Sequence, residues 1–270
     1  MPADREGNAE KIAVLMYHRI GAALNAWERK YCVSPDRFAA HMQALARGGY
    51  TACSMEQFIA WLRGRSTLPA RAFLLTFDDG FSGVREHGQP VLERLGWPAT
   101  VFLVSGLLGR QDSWTVGENP DGKMHPLLTA DEVCEMRAAG FTFYSHTCSH
   151  KDLTQLSDTE LESELRQSRL RLAELLREDI PYLAYPYGRY DDRVRNAAIA
   201  AGYEAAFSVQ PGFNRAGSDA YGLRRLDVFG TDTPGALLRK ITLGTNDGSR
   251  VSAARYVIRR AAARMGLPTR

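Results

Sequence analysis

The stretch Ala72-Phe-Leu-Leu-Thr-Phe-Asp-Asp-Gly80 contains six mostly apolar residues followed by two carboxylates and a glycine. An apolar run of this length predicts a buried strand. Charged groups are costly inside such a strand, so we expect Asp78 and Asp79 just beyond its end, where Gly80 permits a tight turn. The alternative is that both aspartates serve only as turn or helix-capping residues.

Six further segments have the same strand-like character. Each is a run of β-branched, aromatic or leucine residues of about strand length, at residues 12–17, 99–104, 141–144, 182–185, 204–209 and 223–228. Helical patterns lie between most of them, and this alternation implies parallel strands joined by right-handed crossovers. We therefore expect an α/β fold, a TIM-like (β/α) barrel of about seven strands.

Capping signals indicate where several of the helices begin. Ser34-Pro35 combines an N-cap residue with a first-turn proline, and Gly48-Gly49 ends the same helical pattern. The spacing of a capping box predicts the starts of two more helices, at Thr129 with Glu132 and at Ser157 with Glu160.

The composition of the 270 residues excludes several classes of protein. Hydrophobic residues make up 44% and charged residues 24%, and no apolar run approaches the roughly 20 residues of a transmembrane helix. The polar N-terminus lacks the features of a secretory signal. These observations predict a cytoplasmic location, or an extracytoplasmic one if a leader has been removed.

The charge is unevenly distributed along the chain. Residues 234–270 contain eight Arg or Lys and one Asp, a net charge of +7, which leaves −4 for the remainder. We expect a barrel over residues 1–232 and a basic helical extension over 233–270, packed on or beside the barrel. Attraction of its segment 251–264 to anionic lipid head groups is an alternative. Nucleic acid is not an expected partner of the main body.

A second polar motif, Ser145-His146-Thr-Cys-Ser-His150, follows another predicted strand. Four-residue spacing places both imidazoles on one side if the backbone is helical, as in metal-binding histidine pairs, whereas chance surface histidines are the alternative. With one carboxylate of Asp78-Asp79 they form a three-ligand set that leaves a position for water. Such a set suits catalytic Zn²⁺ and also Fe²⁺, Co²⁺ or Ni²⁺. The second carboxylate is then available as a general base.

Other polar groups also follow predicted strand ends. His18 follows the first strand, Tyr187 lies in Tyr185-Pro-Tyr-Gly188, and Arg225 and Asp227 lie near the last strand. Ordinary structural roles are the alternative for each. The active site of a (β/α) barrel lies at the carboxyl ends of its strands, so we expect these groups to meet there. The backbone N–H of Tyr187 is a candidate oxyanion donor, and Arg225 and Asp227 are candidates to orient the acid and the base.

Two long polar segments follow the first and third predicted strands, at residues 19–33 and 110–128. Loops of this length in compact domains are often lids or binding loops. They contain Trp27 and Trp114, whose rings are candidates to stack on sugar rings. Sealing the mouth of the barrel or packing on its flank is the alternative.

The motifs resemble those of the NodB-homology polysaccharide deacetylases, carbohydrate esterase family four. Residues 76–80, 146–150 and 185–188 match its three motifs, and the resemblance extends from about residue 12 to residue 228. It implies that Asp79, His146 and His150 bind a divalent metal and that Asp78 is the catalytic base. It also implies a distorted TIM-like barrel.

Two residues of the usual family pattern are absent. Ala184 stands where an arginine often precedes the third motif, and no histidine follows His150. The opening Met16-Tyr-His18 is similar to that of the group resembling poly-N-acetylglucosamine deacetylases. By that resemblance His18 is the general acid, and Arg225 is the partner of the base.

The resemblance implies removal of N-acetyl groups from amino sugars in a polysaccharide or its lipid-linked precursor. The expected reaction depends on a divalent metal, of which Zn²⁺ is favoured. An N-acetylated glycan is then the expected partner. Two alternatives are a small-molecule amide or imide hydrolase of the same superfamily and a catalytically inactive carbohydrate-binding homologue.

Overall fold

The computed structural model describes residues 8–251 and 254. The strands are β1 (Ala13–Tyr17), β2 (Arg19–Ile20), β3 (Cys32–Val33), β4 (Thr51–Cys53), β5 (Ala72–Phe77), β6 (Ala99–Leu103), β7 (Phe141–Ser145), β8 (Tyr182–Ala184), β9 (Ala205–Phe207) and β10 (Leu226–Asp227). The helices are α1 (Pro35–Arg47), α2 (Met55–Leu62), α3 (Gln89–Leu95), α4 (Ala130–Ala138), α5 (Asp158–Leu176), α6 (Asp192–Ala200) and α7 (Pro234–Leu243).

Eight of the strands form one parallel sheet. Seven follow the order β10-β1-β5-β6-β7-β8-β9, and β4 pairs with β5 beside this path. All six residues of β5 are buried. Two strands pair with different parts of β5. Strand β4 pairs with its first half, and strand β6 pairs with Thr76 and Phe77. The parallel sheet with its covering helices confirms the distorted barrel of about seven strands predicted from the sequence.

Residues 223–228, which we call the closing segment, contain the edge strand β10 and also contact β9 at the other edge of this sheet. Leu223 forms a parallel bridge with Phe207 at the end of β9. Further along the segment, Leu226 and Asp227 of β10 pair with β1, and Val228 N–H donates to the carbonyl of Met16 at 3.0 Å. The closing segment therefore connects β9 to β1.

Local sequence signals account for the ends of several helices. The Ser34 side chain accepts from the N–H of Arg37, Pro35 occupies the first turn of α1, and Gly48 follows its end. Complete capping boxes begin α4 at Thr129 and α5 at Ser157. A further box begins α2 at Ser54, a start that the sequence analysis did not predict.

The regular strands are shorter than the predicted apolar runs. The run predicted at residues 204–209 contains only the three-residue β9, and the run at 223–228 contains only the two residues of β10. The short strands β2, β3 and β4 were not predicted, because two or three residues carry too little pattern to be distinguished from loop.

The C-terminal part of the chain is described only in its first portion. Helix α7 packs against α1, with Leu237 and Ile241 buried. Most of the predicted basic helix at 251–264 lies outside the described residues. Among the residues that the structure describes, no helix combines the length and the apolar character needed to cross a bilayer.

Removal of the α5 cap tests the account of the helix starts. We expect Ser157→Ala to lower the free energy of unfolding by about 1 kcal/mol, because it removes the acceptor for the N–H of Glu160. Denaturant unfolding measures this change. Ser163→Ala, at an exposed interior position of the same helix, is the matched control and should be neutral or slightly stabilising. Equal losses in the two variants would contradict this account.

Candidate active site

The polar groups predicted at the barrel rim lie at or after the carboxyl ends of parallel strands, except Arg225, which directly precedes β10. His18 follows β1, Asp78 and Asp79 follow β5, His146 follows β7, and Asp227 ends β10. Tyr187 lies in the short turn Pro186–Gly188 that follows β8. The same cavity, of about 320 Å³, is lined by the predicted residues His18, Trp27, Asp78, Asp79, Trp114, His146, His150, Tyr187 and Asp227.

Asp78 forms a fully buried ion pair with Arg225 of the closing segment. The two guanidinium nitrogens donate to the two carboxylate oxygens at 2.6 and 2.8 Å, and the Arg225 Nε donates to the carbonyl of Ser208 at 2.9 Å. Burial raises the pKa of Asp78, but the nearby Arg225 and His146 outweigh burial and hold it below its usual value. Asp78 is therefore ionised, and its oxygens keep lone pairs for a further donor.

Asp79, His146 and His150 lie around one point next to this ion pair. Asp79 Oδ1 lies 3.4 Å from His146 Nε2 and 3.2 Å from His150 Nε2. One potential ligand atom from each residue falls within 4.8 Å of the others, and all three residues are buried. Two imidazoles and a carboxylate at this spacing could hold a metal ion.

The hydrogen bonding around the cluster fits a cation site. His146 Nδ1 lies 2.8 Å from the carbonyl of Ala184, which directs the Nε2 of His146 toward Asp79. The Asp79 Oδ1 is buried with no hydrogen-bond partner among the described residues. Burial raises the pKa of Asp79, but its contacts with His146 and His150 hold that pKa well below the usual value. A buried, ionised carboxylate oxygen that lies next to two imidazole nitrogens has the chemistry of a cation ligand.

The two histidines converge through a turn and not through a helix. Thr147 and His150 both have left-handed backbone angles, at φ +66° and +60°, so the helical condition of the sequence prediction is not met. Glu164 of α5 stabilises the turn by accepting from the N–H groups of Cys148 and Ser149 at 3.0 and 2.9 Å.

Left-handed backbone is concentrated at this site. Of the five described non-glycine residues with positive φ, four lie here: Asp79, Thr147, His150 and Tyr187. Gly188 is also left-handed, and a Cβ on it would lie 2.4 Å from Val209 Cγ2. Such conformations cost about 1 kcal/mol or more each, and they persist where the surroundings hold them in place.

Aromatic rings surround the His150 side of the cavity. The Trp114 ring stacks on the His150 imidazole, with centroids 4.4 Å apart and planes 23° apart. The Tyr187 ring meets the same imidazole edge-on at 4.8 Å, and it is 37% exposed. Trp27 is half-buried at the cavity wall. One face of Trp114 is therefore already covered by His150.

Glu28 connects the two long loops, and the sequence analysis did not identify it. Its carboxylate accepts from Arg19 at 2.6 Å and from the Leu24 N–H at 2.7 Å in its own loop. From the loop 110–128, Asn119 Nδ2 donates at 3.2 Å and His125 Nε2 lies 2.7 Å away. Burial raises the pKa of Glu28, but these contacts lower it to about 2.

No motif in the sequence could have indicated this connection. Glu28 and His125 are separated by 97 residues, and neither lies at a strand end or in a recognisable spacing. The contact depends on how the two loops fold across the rim, which local pattern does not determine.

Comparison with known proteins gives the family. The family model described as polysaccharide deacetylase matches residues 65–206, just over half of the chain. The chain belongs to the polysaccharide deacetylase family. The matched region of this deacetylase contains the Asp78-Asp79 motif, both cluster histidines and the Tyr187 turn. It ends before the closing segment.

Similar proteins support the same assignment. YxkH of Bacillus subtilis, whose name places it among the polysaccharide deacetylases, is 28% identical over 218 residues, which are 81% of this chain and 71% of that protein. A poly-beta-1,6-N-acetyl-D-glucosamine N-deacetylase of Staphylococcus aureus is 23% identical over 191 residues, 67% of this chain and 62% of that protein. The deacetylase PplD of Streptococcus pyogenes, solved with acetate, superposes with a TM-score of 0.73 at 26% identity, covering 86% and 98% of the two chains.

These findings confirm the predicted family and a hydrolase acting on non-peptide carbon–nitrogen bonds. The family is metal-dependent, and the cluster of Asp79, His146 and His150 is a candidate site for the ion. The roles of individual site residues and the identity of the metal stay predictions.

Replacement of Glu28 tests its function as a connection between the loops. The Glu28→Gln variant replaces one carboxylate oxygen with an amide N–H₂ group. This group would face N–H donors that now bind the Glu28 carboxylate. We expect amide hydrogen exchange in residues 110–128 to become about tenfold faster or more, as loss of a buried charged hydrogen bond is worth about 1.5–3 kcal/mol. Glu118→Gln, an exposed change in the same loop, is the control. Unchanged exchange in Glu28→Gln would contradict the proposed connection.

Proposed function

We propose that this polysaccharide deacetylase hydrolyses N-acetyl groups of amino sugars in a polysaccharide or its lipid-linked precursor. One observation carries the proposal: a cluster of two histidines and an aspartate lies beside an ionised, arginine-paired aspartate in a cavity at the carboxyl ends of the strands. The similarity to a protein named as an N-acetylglucosamine deacetylase favours an N-acetylated glycan as substrate.

We infer that Asp79, His146 and His150 hold a divalent cation. The donor set of two imidazoles and one carboxylate favours Zn²⁺, with Co²⁺, Ni²⁺ and Fe²⁺ as alternatives. When bound, such an ion polarises a carbonyl oxygen and makes water more acidic. The orientation of His146 by the Ala184 carbonyl supports this assignment, since metal-ligating histidines commonly donate their second ring N–H.

Asp78 is the proposed general base. Its carboxylate lies beside the cluster, with Oδ2 3.9 Å from His146 Nε2, and is ionised. It accepts the proton of the attacking water at a carboxylate oxygen, while the bidentate contact with Arg225 fixes the plane of that carboxylate. Arg225 thereby orients the base and keeps its charge.

Tyr187 and His18 complete the proposed catalytic groups. The Tyr187 backbone N–H, in the turn after β8, donates to the developing oxyanion of the acetyl group. His18 protonates the leaving amine nitrogen. His18 and Asp227 line the same cavity, which supports a role for Asp227 in orienting the imidazole.

Trp114, Trp27 and the Tyr187 ring are the proposed substrate-binding groups. All three side chains line the cavity, and the stacking of Trp114 on His150 leaves only the opposite face of its indole for a sugar ring. Membrane contact through the basic C-terminal segment remains a prediction about residues outside those described.

Acetate release from a panel of N-acetylated and O-acetylated glycans tests the reaction. We expect release from N-acetylated amino-sugar oligomers, its loss after treatment with a chelator, and recovery when Zn²⁺ or Co²⁺ is restored. Release from O-acetylated glycans alone, or undiminished release after complete removal of metal, would contradict the proposal. Turnover of small cyclic amides without glycan turnover would favour the small-molecule hydrolase.

Substitution of the proposed base separates proton transfer from metal binding. We expect Asp78→Asn to keep a metal content close to that of the unchanged protein and to lose about 10²–10⁴-fold in kcat, because the amide accepts no proton. Asp79→Asn is the paired variant and should lose metal affinity. Metal analysis with acetate-release kinetics measures both, and undiminished turnover by Asp78→Asn would refute the assigned base.

The stacking role of Trp114 has its own test. We expect Trp114→Ala to raise KM for an N-acetylglucosamine oligomer by about tenfold, since aromatic contacts of this kind are worth about 0.5–1.5 kcal/mol beyond the area that they bury. Trp114→Phe keeps an aromatic face and should recover most of the loss. Unchanged kinetics in Trp114→Ala would remove this ring from the substrate site.

A further inference from the structure

Asp227 is held by residues that follow the barrel in the sequence. Asn246 Oδ1 accepts from the Asp227 backbone N–H at 2.9 Å, and Asn246 Nδ2 donates to Asp227 Oδ2 at 2.5 Å. Lys240 Nζ donates to the Asp227 carbonyl at 3.0 Å. Three hydrogen bonds from α7 and the turn after it therefore fix both the backbone and the carboxylate of Asp227.

The local sequence explains how Asn246 reaches this position. The Thr233 side chain caps α7, Pro234 lies in its first turn, and Gly244 ends it in a left-handed conformation at φ +69°. A Cβ on Gly244 would lie 2.4 Å from the ring of Phe213, so this close turn requires glycine. The turn directs the chain back toward the end of β10, where Asn246 lies.

Lys240 anchors the same helix beneath the site. Its side chain is 1% exposed, and its ammonium group also pairs with the Asp232 carboxylate at 2.5 Å. A buried ammonium group with two oxygen partners holds a fixed position, because moving it would leave a buried charge unpaired. Helix α7 therefore holds the turn that contains Asn246 in place next to Asp227.

The groups facing Asp227 come from several elements. Burial raises the pKa of Asp227, and the groups that oppose this effect are His18 after β1, Arg225 in the closing segment, Lys240 of α7, and Lys30 in the first long loop. Among the residues that the structure describes, Asn246 donates from its side chain directly to an oxygen of the Asp227 carboxylate. Its amide therefore sets which way that carboxylate points.

We propose that Asn246 is a positioning residue for catalysis, which holds Asp227 at the cavity that His18 also lines, through one hydrogen bond to the Asp227 carboxylate and one from its backbone N–H. Helix α7 and the turn after it then belong to the catalytic unit, so the predicted boundary after residue 232 would separate Asp227 from its support. This inference rests on the roles proposed above for His18 and Asp227. It assigns a new role to Asn246.

The test compares two substitutions of Asn246 with a matched control. Asn246→Asp keeps the size of the side chain and the acceptor for the Asp227 N–H, but it places a second carboxylate against Asp227 Oδ2. Asn246→Ala removes both contacts. We expect kcat for acetate release to fall by roughly tenfold or more in each variant, because proton donation by a misaligned imidazole is inefficient, while KM and zinc affinity stay unchanged.

Asn196→Asp is the matched control, because it makes the same chemical change at an exposed position of α6, and it should keep the full kcat. Thermal unfolding and the folded fraction are measured for every variant. A merely structural role would lower the folded fraction and leave kcat per folded molecule intact. That result would overturn the inference.

A double-mutant comparison separates this inference from the proposed function. We expect Asp227→Asn to lower kcat, and Asn246→Ala added to Asp227→Asn to lower it by less than about twofold more, because the two residues act through one carboxylate. If both Asn246 variants keep full kcat and Asp227→Asn loses activity, the role of Asn246 is refuted and the proposed role of Asp227 is kept. Full kcat in Asp227→Asn would refute the proposed role of Asp227 and the inference with it, while leaving the metal cluster and Asp78 untouched.

Discussion

Arg225 carries a positive charge into the interior of the barrel, where its side chain is completely buried. A charge in that position is stable only if it is paired and its remaining donors are satisfied, and Asp78 and the Ser208 carbonyl meet this requirement. The pair joins the closing segment to the end of β5. It therefore connects the closure of the sheet with the geometry of the candidate site, because the carboxylate that balances Arg225 is also the proposed base.

The cluster beside this pair depends on backbone that ordinary residues avoid. Asp79, Thr147, His150 and Tyr187 all have positive φ, and the surrounding structure holds them there. Glu164 supports the histidine turn from α5, and the Ala184 carbonyl orients His146 from the end of β8. Residues outside the cluster thus determine where its three ligand atoms lie.

The sequence alone predicted the strands with clear apolar runs, the capped helices, and the rim residues His18, Asp78-Asp79, His146 and Tyr187. These features depend on local pattern, and a parallel barrel brings strand ends together without further information. The path of the chain between His146 and His150 was not predictable, because Thr147 and His150 adopt a conformation that their residue types do not favour. Contacts such as that of Glu28 with His125 depend on the tertiary arrangement of loops.

The contact between Arg225 and Asp78 joins residues 147 positions apart in the chain. Contacts of such long range are slow to form, because the entropy of closing a long loop is lost before the contact compensates for it. During synthesis, a nascent chain that has not yet reached residue 225 has Asp78 without its counter-ion and a sheet whose two edges are unjoined. The site is therefore complete only once the segment that joins β9 to β1 has been synthesised and has packed against β5.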